Sequence, residues 1–551
     1  MRRLLVAGIV LAVGILGGAS PSGASIITGT EGADQLTGTR GADVINGLGG
    51  NDRIDGLAGD DVLIGGAGSD RVTGGGGNDR IGVHADATPD TVVCGTGHDL
   101  VNAELTDLVV ADCEVLSRQV SRDPYTNFDS QHETQVEPDS FSYGRTIVTT
   151  FQSGRFAGGG ASNIGWATSR DAGTTWRAGH LPGQSIFSTP AGSRTLVSDP
   201  IVAYDARHGQ WLIATLGRSG EASELLISRS RDGLAWSLPI VAMRDPDDTI
   251  DKEWITCDNW AASPFRGRCY MSYLASEPGR IVTQNSTDGG LTWSAAAAGP
   301  PPTSGVVNGA QPVAQPSGAL LVIYSTFAGD AVVDDQITAI RSTNGGATFG
   351  PARRVTSLET EDIAGVRAPP LASAEIDRAG QIYVAWSDCR FRSECSANDI
   401  VLVKSLDGLT WTAPIRVPTG PIGANPDFWV PGLGVDVTTA GAKARIAVAF
   451  HSTPLNCGYF DACPGVDLGL VISRNGGRNW TRPQRLNVET MPLTWIANTG
   501  IGRMTGDYIS TSWVGAKAIP VFSLAAQPAF EGSFRQAIFA MTGPGTAMRR
   551  R

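Results

Sequence analysis

Aspartate recurs at positions 34, 43, 52, 61, 70 and 79, one every nine residues. Carboxylates that return at a fixed short period can be stacked, and stacked carboxylates repel one another unless a cation sits among them. Calcium suits such a site, because it takes roughly six to eight oxygen ligands from carboxylates and backbone carbonyls. Asp34, Asp43, Asp52, Asp61, Asp70 and Asp79 are therefore candidate metal ligands, and Ca2+ is the ion they fit.

The elements that must position them are short. From Gly29 to Gly82 the chain reads GTEGADQLT, GTRGADVIN, GLGGNDRID, GLAGDDVLI, GGAGSDRVT and GGGGNDRIG. Glycine at the first and fourth places allows a tight turn, and an aliphatic residue two places after each aspartate points inward from a short strand. Alternate turns share an edge, so Asp34 is expected above Asp52, Asp43 above Asp61, Asp52 above Asp70 and Asp61 above Asp79. The pattern closely resembles the RTX nonapeptide repeat, G-G-x-G-x-D-x-U-x, of calcium-binding parallel β-rolls. That resemblance implies a roll that orders when calcium binds. Residues 85–93 and 94–102 keep an aspartate and an aliphatic residue but lose glycines, and a Cys94–Cys113 bridge would cap the open end. The roll and its cap are assigned to residues 25–116. Residues 117–135 read as a linker, or as a strand lent to the next domain.

A second repeat follows. SRDAGTTW at 169–176, STDGGLTW at 286–293, STNGGATF at 342–349 and SRNGGRNW at 473–480 are joined by the shorter SRDGLAW at 230–236 and SLDGLTW at 405–411. Asn344 and Asn475 replace the aspartate in two copies. An amide oxygen accepts the same backbone N–H bonds in a turn, but it cannot act as an acid or base. The motif therefore reads as a turn, and chemistry belongs on the opposite face, where other loops converge. The first serines lie 61, 56, 56, 63 and 68 residues apart, with β-rich segments such as QIYVAW and ARIAVAFHS between them. Such a unit repeated around a ring is the pattern of a β-propeller. The repeats resemble the Asp boxes, S-x-D-x-G-x-T-W, of sialidases and related propellers, where the box joins the third and fourth strands of a blade. The expected fold is all-β, a short roll followed by a propeller over residues 136–545. Three strands after residue 505 lack a box, and an N-terminal segment supplying their fourth favours seven blades over the alternative of six.

The same resemblance implies a site. A sialidase holds its substrate's carboxylate with three arginines, attacks with a tyrosine paired to a glutamate, and uses an aspartate as acid/base. The family's F-R-I-P motif is absent. Arg155, Arg367 and Arg503 are the candidate arginines and Tyr508 the candidate tyrosine. Glu253 or Glu375 is its candidate partner, and Asp139 or Asp199 the candidate acid. Each has a structural alternative: a strand-end arginine paired with a carboxylate, Tyr508 packed between blades, Glu253 bridged to Lys252. Two functions stay open, an exo-α-sialidase or related glycosidase on acidic glycans, and a non-catalytic propeller that binds an extracellular glycan or glycoprotein.

Composition narrows the partners. A net charge of −11, from 43 Lys plus Arg against 54 Asp plus Glu, argues against nucleic acid and anionic membranes. The N-terminus has Arg2 and Arg3, an apolar run over 4–17, and small residues at 22–24. It reads as a secretory signal over residues 1–24, and no later run is long enough to span a membrane. Eight cysteines lie as sequence neighbours, 94/113, 257/269, 389/395 and 457/463, so neighbour disulfides are expected and zinc ligation is not.

Overall fold

The computed structural model describes residues 23–542 except 85, 111, 277–278, 303–304, 329–333, 422–425, 455–464 and 531. Nearly all of the expected signal and the Cys457/Cys463 pair lie outside the described residues. Within them the chain is all-β apart from three single-turn 3-10 segments. No helix among the described residues is long and apolar enough to cross a membrane.

The N-terminal residues coil into a roll of about five turns. Ile26–Thr28, Val44–Asn46, Val62–Ile64, Arg80–Val83, Leu100–Glu104 and Val115–Gln119 stack in parallel as one sheet. Gln35–Thr37, Arg53–Asp55, Arg71–Gly76, Thr91–Thr96 and Leu108–Val109 stack as the other. Two nonapeptides make each coil, so Ile26 sits opposite Val44 and Val44 opposite Val62. The decayed repeats carry two extra residues, and the register lengthens to match, with Arg71 opposite Thr91 and Arg80 opposite Leu100. The aliphatic residue after each aspartate faces inward: Ile45, Ile54, Leu63, Val72, Ile81, Val92 and Val101 are fully buried. The Cys94–Cys113 disulfide lies at the last coil.

After the roll come four-stranded antiparallel sheets. Their first strands are Gln135–Tyr143, Leu196–Asp205, Ile250–Cys257, Val306–Ala314, Ser373–Ile376 and Pro426–Val435. The first two sheets touch through one pairing, Ala161 with Val197. A last sheet is built from Ser510–Val514, Lys517–Ala525 and Gln536–Met541. Its fourth strand is Val115–Gln119 from the roll, antiparallel with Ser117 opposite Met541. Each first strand neighbours the next, and the last neighbours the first, closing a ring of inner strands. Aliphatic and aromatic side chains fill the spaces between successive sheets, as where Ile201 and Leu212 meet Ile255 and Met271. Two further disulfides pair sequence neighbours, Cys257–Cys269 and Cys389–Cys395.

The repeated motif turns between the third and fourth strand of each of six sheets. In the first copy Asp171 Oδ1 accepts the amides of Thr174 and Thr175, and the Ser169 hydroxyl accepts the Gly173 amide at 2.8 Å. Asn344 makes the same contact, its Oδ1 accepting the Thr348 amide at 3.0 Å, and its Nδ2 donates to the Thr348 hydroxyl. Gly173, at φ 84°, stands where a side chain would be strained.

Candidate functional site

Two places concentrate carboxylates. Along the roll, the backbone amide of each aspartate donates to the carboxylate one coil on: Asp34 to Asp52, Asp43 to Asp61 and Asp52 to Asp70 at 2.8 Å, Asp61 to Asp79 at 3.0 Å. The row continues where the repeats decay, with Asp70 donating to Asp90 and Asp79 to Asp99. Asp90 and Asp99, with Asp107 after them, extend the candidate set beyond the residues picked from sequence. The signal for Asp90 and Asp99 was there, an aspartate kept at the sixth place as the glycines were lost, whereas Asp107 falls one place early in the nine-residue frame.

At the two ends of the row both oxygens find partners, as where Asp43 Oδ2 accepts from Thr39 and Asp107 Oδ2 from the Glu104 amide, but between them one oxygen is used and the other is not. Oδ2 of Asp52, Asp61, Asp70, Asp79 and Asp99 is buried without a hydrogen-bond partner. A methyl carbon built on Gly56 would lie 2.5 Å from Asp61 Oδ2 and 2.6 Å from the Gly74 carbonyl oxygen, and Gly38 repeats this with Asp43 and Gly56. Gly29, Gly38, Gly47, Gly56 and Gly74 thus each leave a pocket that a carboxylate and a carbonyl oxygen both face. Burial, followed by repulsion from stacked neighbours, outweighs the backbone bonds and pushes Asp61 and Asp70 up to about 6 and Asp79 to about 7. Unpartnered buried oxygens beside carbonyls are the donor set of a hard cation, and the residues present fit calcium.

The second place is the axis of the ring. Inner strands carry a bulge near their starts, the register slipping between Val136 and Asp139, Ser198 and Ile201, Asp251 and Trp254, Asn308 and Gln311, and Trp429 and Gly432. Within these bulges Glu137, Asp199, Lys252, Gly309 and Val430 have φ between 43° and 71°. Only the glycine adopts that conformation freely, and the other four each cost on the order of 1–3 kcal/mol. The bulges bring charges together: Lys252 Nζ lies 2.8 Å from Asp507, 3.0 Å from Asp199 and 3.1 Å from Glu137. Arg367 grips Asp507 with two nitrogens, Nε at 2.7 Å from Oδ1.

The residues picked from sequence partly converge here. Asp199 and Arg367 belong to the cluster. Arg155 is buried beside it, its guanidinium donating to the carbonyls of Phe156 at 2.6 Å and Asn498 at 3.2 Å. Arg503 donates to the Ile496 carbonyl and, among the described residues, forms no ion pair. Tyr508 packs edge-on against Trp254 at 5.2 Å, and its hydroxyl donates to the Pro200 carbonyl at 3.3 Å. Burial, reinforced by Glu137 and Asp199, pushes the Tyr508 phenol well above its usual range. Asp139 accepts the Val202 amide at 2.8 Å. Glu253 is buried with neither carboxyl oxygen bonded, and burial with Asp199 nearby raises its pKa strongly. Glu375 is pushed to about 8 by burial and by Asp139. Asp507 is held low: burial opposes ionisation, but Lys252 and Arg367 outweigh it. Glu137, Lys252 and Asp507 sit in stretches that stand out in sequence, EPDSFSYG, DKEWITCD and GRMTGDYIS, yet nothing in the sequence says that one lysine joins three of these strands.

The fold and these two sites define a class, an all-β protein that joins an ion-type roll to a ring of sheets. The RTX calcium-binding nonapeptide repeat family matches residues 28–63 and 46–81. The BNR repeat-like domain family matches residues 142–362. The chain thus carries RTX calcium-binding repeats followed by a BNR repeat-like domain. No curated protein matches it. Among solved structures it is similar to a protein of unknown function from Dyadobacter fermentans (18% identity, 65% of this chain and 99% of that one, TM-score 0.41). It is also similar to the intramolecular trans-sialidase of Ruminococcus gnavus (12%, 68% and 99%, TM-score 0.38). A third is the α-L-arabinofuranosidase Arb93A of Fusarium graminearum (14%, 66% and 98%, TM-score 0.41). None of these likenesses assigns a ligand or a reaction to this chain.

Proposed function

We propose that this is a secreted, calcium-binding protein whose ring is a seven-bladed Asp-box propeller that binds an extracellular glycan without cleaving it. Asp34, Asp43, Asp52, Asp61, Asp70 and Asp79 hold calcium in the roll, joined by Asp90 and Asp99. The ion neutralises the stacked carboxylates and so fixes the coils. The observation that carries the non-catalytic reading is the pairing at the ring's axis. Lys252 and Arg367, the cations best placed to hold an anionic substrate, are already bound to Glu137, Asp199 and Asp507. A glycan surface is supported on the face where the inner strands end. There Tyr143, 48% exposed, packs at a tilt against Tyr204 at 4.3 Å, which in turn meets Trp211 at 4.7 Å. Tyr143 is the exposed ring of this row, backed by the half-buried Tyr204 and the buried Trp211, and such a ring offers an apolar face on which a sugar ring lies.

The hydrolytic reading, an exo-α-sialidase using Arg155, Asp199, Glu253, Arg367, Arg503 and Tyr508, is favoured by Tyr508 and Glu253 lying in the wall of one cavity. It requires the tyrosine to lose its proton in a place that opposes this. A panel of chromogenic sialosides and other glycosides, assayed with and without calcium, separates the two. Glycan binding without turnover is the expected result. Turnover of a sialoside that disappears in Tyr508→Phe would overturn the binding reading.

A further inference from the structure

The axis of the ring encloses a cavity of about 290 Å3, close to the lower end of the usual range for small-molecule sites, about 300–1,000 Å3. Lys252 and Asp507 border it at the starts of the inner strands, where the ion cluster closes it. At the other end the wall is formed by Tyr143, Asn259, Trp260 and Val437, of which Val437 is 51% exposed. That mouth lies on the same face as the repeated turns, not on the opposite face expected from sequence, because Ser169 pairs with Ile147 beside the hairpin that follows Tyr143.

Besides Asp507, which Lys252 and Arg367 hold, three carboxyl-bearing residues from three sheets border the cavity, Asp139, Glu253 and Glu375. Much of the remaining wall is apolar or aromatic, Phe141, Trp254, Leu371 and Ile376 among it. The one cationic residue on the wall is Lys252, and its three acidic neighbours hold it. Glu253 is 1% exposed and neither carboxyl oxygen has a hydrogen-bond partner. A buried carboxyl without a partner stays neutral unless a cation joins it. Burial does push Asp139 and Glu375 up to about 7 and 8. An entering ammonium group supplies both the missing donor and the missing charge, and an aromatic wall adds attraction for a cation. An anion finds no free donor of opposite charge.

We propose that this cavity binds a small organic cation, a primary ammonium group on a slender apolar body, with the ammonium among Asp139, Glu253 and Glu375 and the body against Trp254. The site shares its mouth with the glycan surface but does not rest on it, since amine binding and glycan binding are measured separately and either can fail alone. The test is calorimetry on the full chain in saturating calcium, comparing hexylamine, hexan-1-ol and hexanoate. Hexylamine is expected to bind at least about ten-fold more tightly than hexan-1-ol, a difference of about 1.4 kcal/mol, and hexanoate to give no heat. Glu253→Gln and Glu375→Gln are each expected to weaken hexylamine about ten-fold and leave hexan-1-ol unchanged. Equal binding of amine and alcohol, binding of hexanoate, or no binding of any of the three overturns the proposal. The unsubstituted protein alone decides these outcomes should a variant fail to fold.

Discussion

The roll and the ring both bury carboxylates in rows, and they neutralise them in opposite ways. In the roll every coil repeats the same aspartate, so each carboxylate meets only its own kind, and the second oxygen of several is left without a partner. In the ring each inner strand contributes a different residue, and one lysine and one arginine join three acids within the protein. Repetition produces a site that must borrow its positive charge from solution. Divergence of the repeats lets the chain supply that charge itself to Glu137, Asp199 and Asp507, though not to Glu253 and Glu375. The roll should therefore respond to calcium and the ring should not, except through the sheet they share.

Removal of calcium is the largest expected effect. One site filled at a hundred times its Kd contributes about 2.7 kcal/mol, and the roll offers several. Chelation is expected to abolish the β-sheet signal of residues 29–82. It should also lower the ring's unfolding temperature, because Val115–Gln119 is both the roll's last coil and the fourth strand of the closing sheet. The ring can be followed alone, since all 13 tryptophans lie at or beyond residue 166. A tryptophan unfolding curve indifferent to calcium would show that the shared sheet transmits nothing.

The ring's self-sufficiency is tested at Lys252. Lys252→Met leaves Glu137, Asp199 and Asp507 with one buried partner fewer, and breaking such a pairing costs about 3–5 kcal/mol. Guanidinium unfolding should show that loss at equal size with and without calcium. A neutral substitution would mean that the ring's acids do not depend on an internal cation, and the contrast with the roll would fall. The junction comes next. Asn102 donates to the Leu486 carbonyl at 3.0 Å and accepts the Val488 amide at 2.8 Å. Asn102→Ala removes both buried bonds and is expected to cost about 1–3 kcal/mol. It should also shrink the calcium-dependent shift of the tryptophan transition.

How much of this was legible in sequence follows from the same contrast. The six aspartates, their stacking partners and the buried aliphatic residues could be read because a nine-residue period fixes geometry by itself. The turn positions of Ser169 to Trp480 could be read for the same reason. Six of the eight cysteines pair as sequence neighbours, which short loops impose. At the ring's axis Asp199 and Arg367 were among the residues picked, but their pairing partners were not legible. Arg367 and Asp507 are 140 residues apart, and only the closure of the ring places them in contact. Glu137, Asp199 and Lys252 reach the axis through left-handed bulges that no propensity announces. Tyr508 was visible as a tyrosine near the end of the ring, but its bond to the Pro200 carbonyl depends on a neighbour 308 residues away.

The smallest expected effect concerns the repeated turn, where an acid looks functional and acts as a hydrogen-bond acceptor. Asp288 Oδ1 accepts the amides of Leu291 and Thr292 at 2.9 and 3.0 Å, and its Oδ2 accepts the Thr292 hydroxyl at 2.6 Å. These bonds outweigh the effect of burial and hold its pKa at about 2. Asn344 and Asn475 make the corresponding backbone contacts in their own turns. Asp288→Asn should therefore shift stability by no more than about 0.5 kcal/mol, with the amide nitrogen taking the hydroxyl as Asn344 does. Asp288→Ala removes every one of these acceptors and is expected to cost about 1 kcal/mol. Thermal unfolding of the pair, in calcium, measures the difference. A larger loss for asparagine than for alanine would mean that the turn needs the charge itself, and the line between charge-dependent roll and bond-dependent ring would have to be redrawn at this residue.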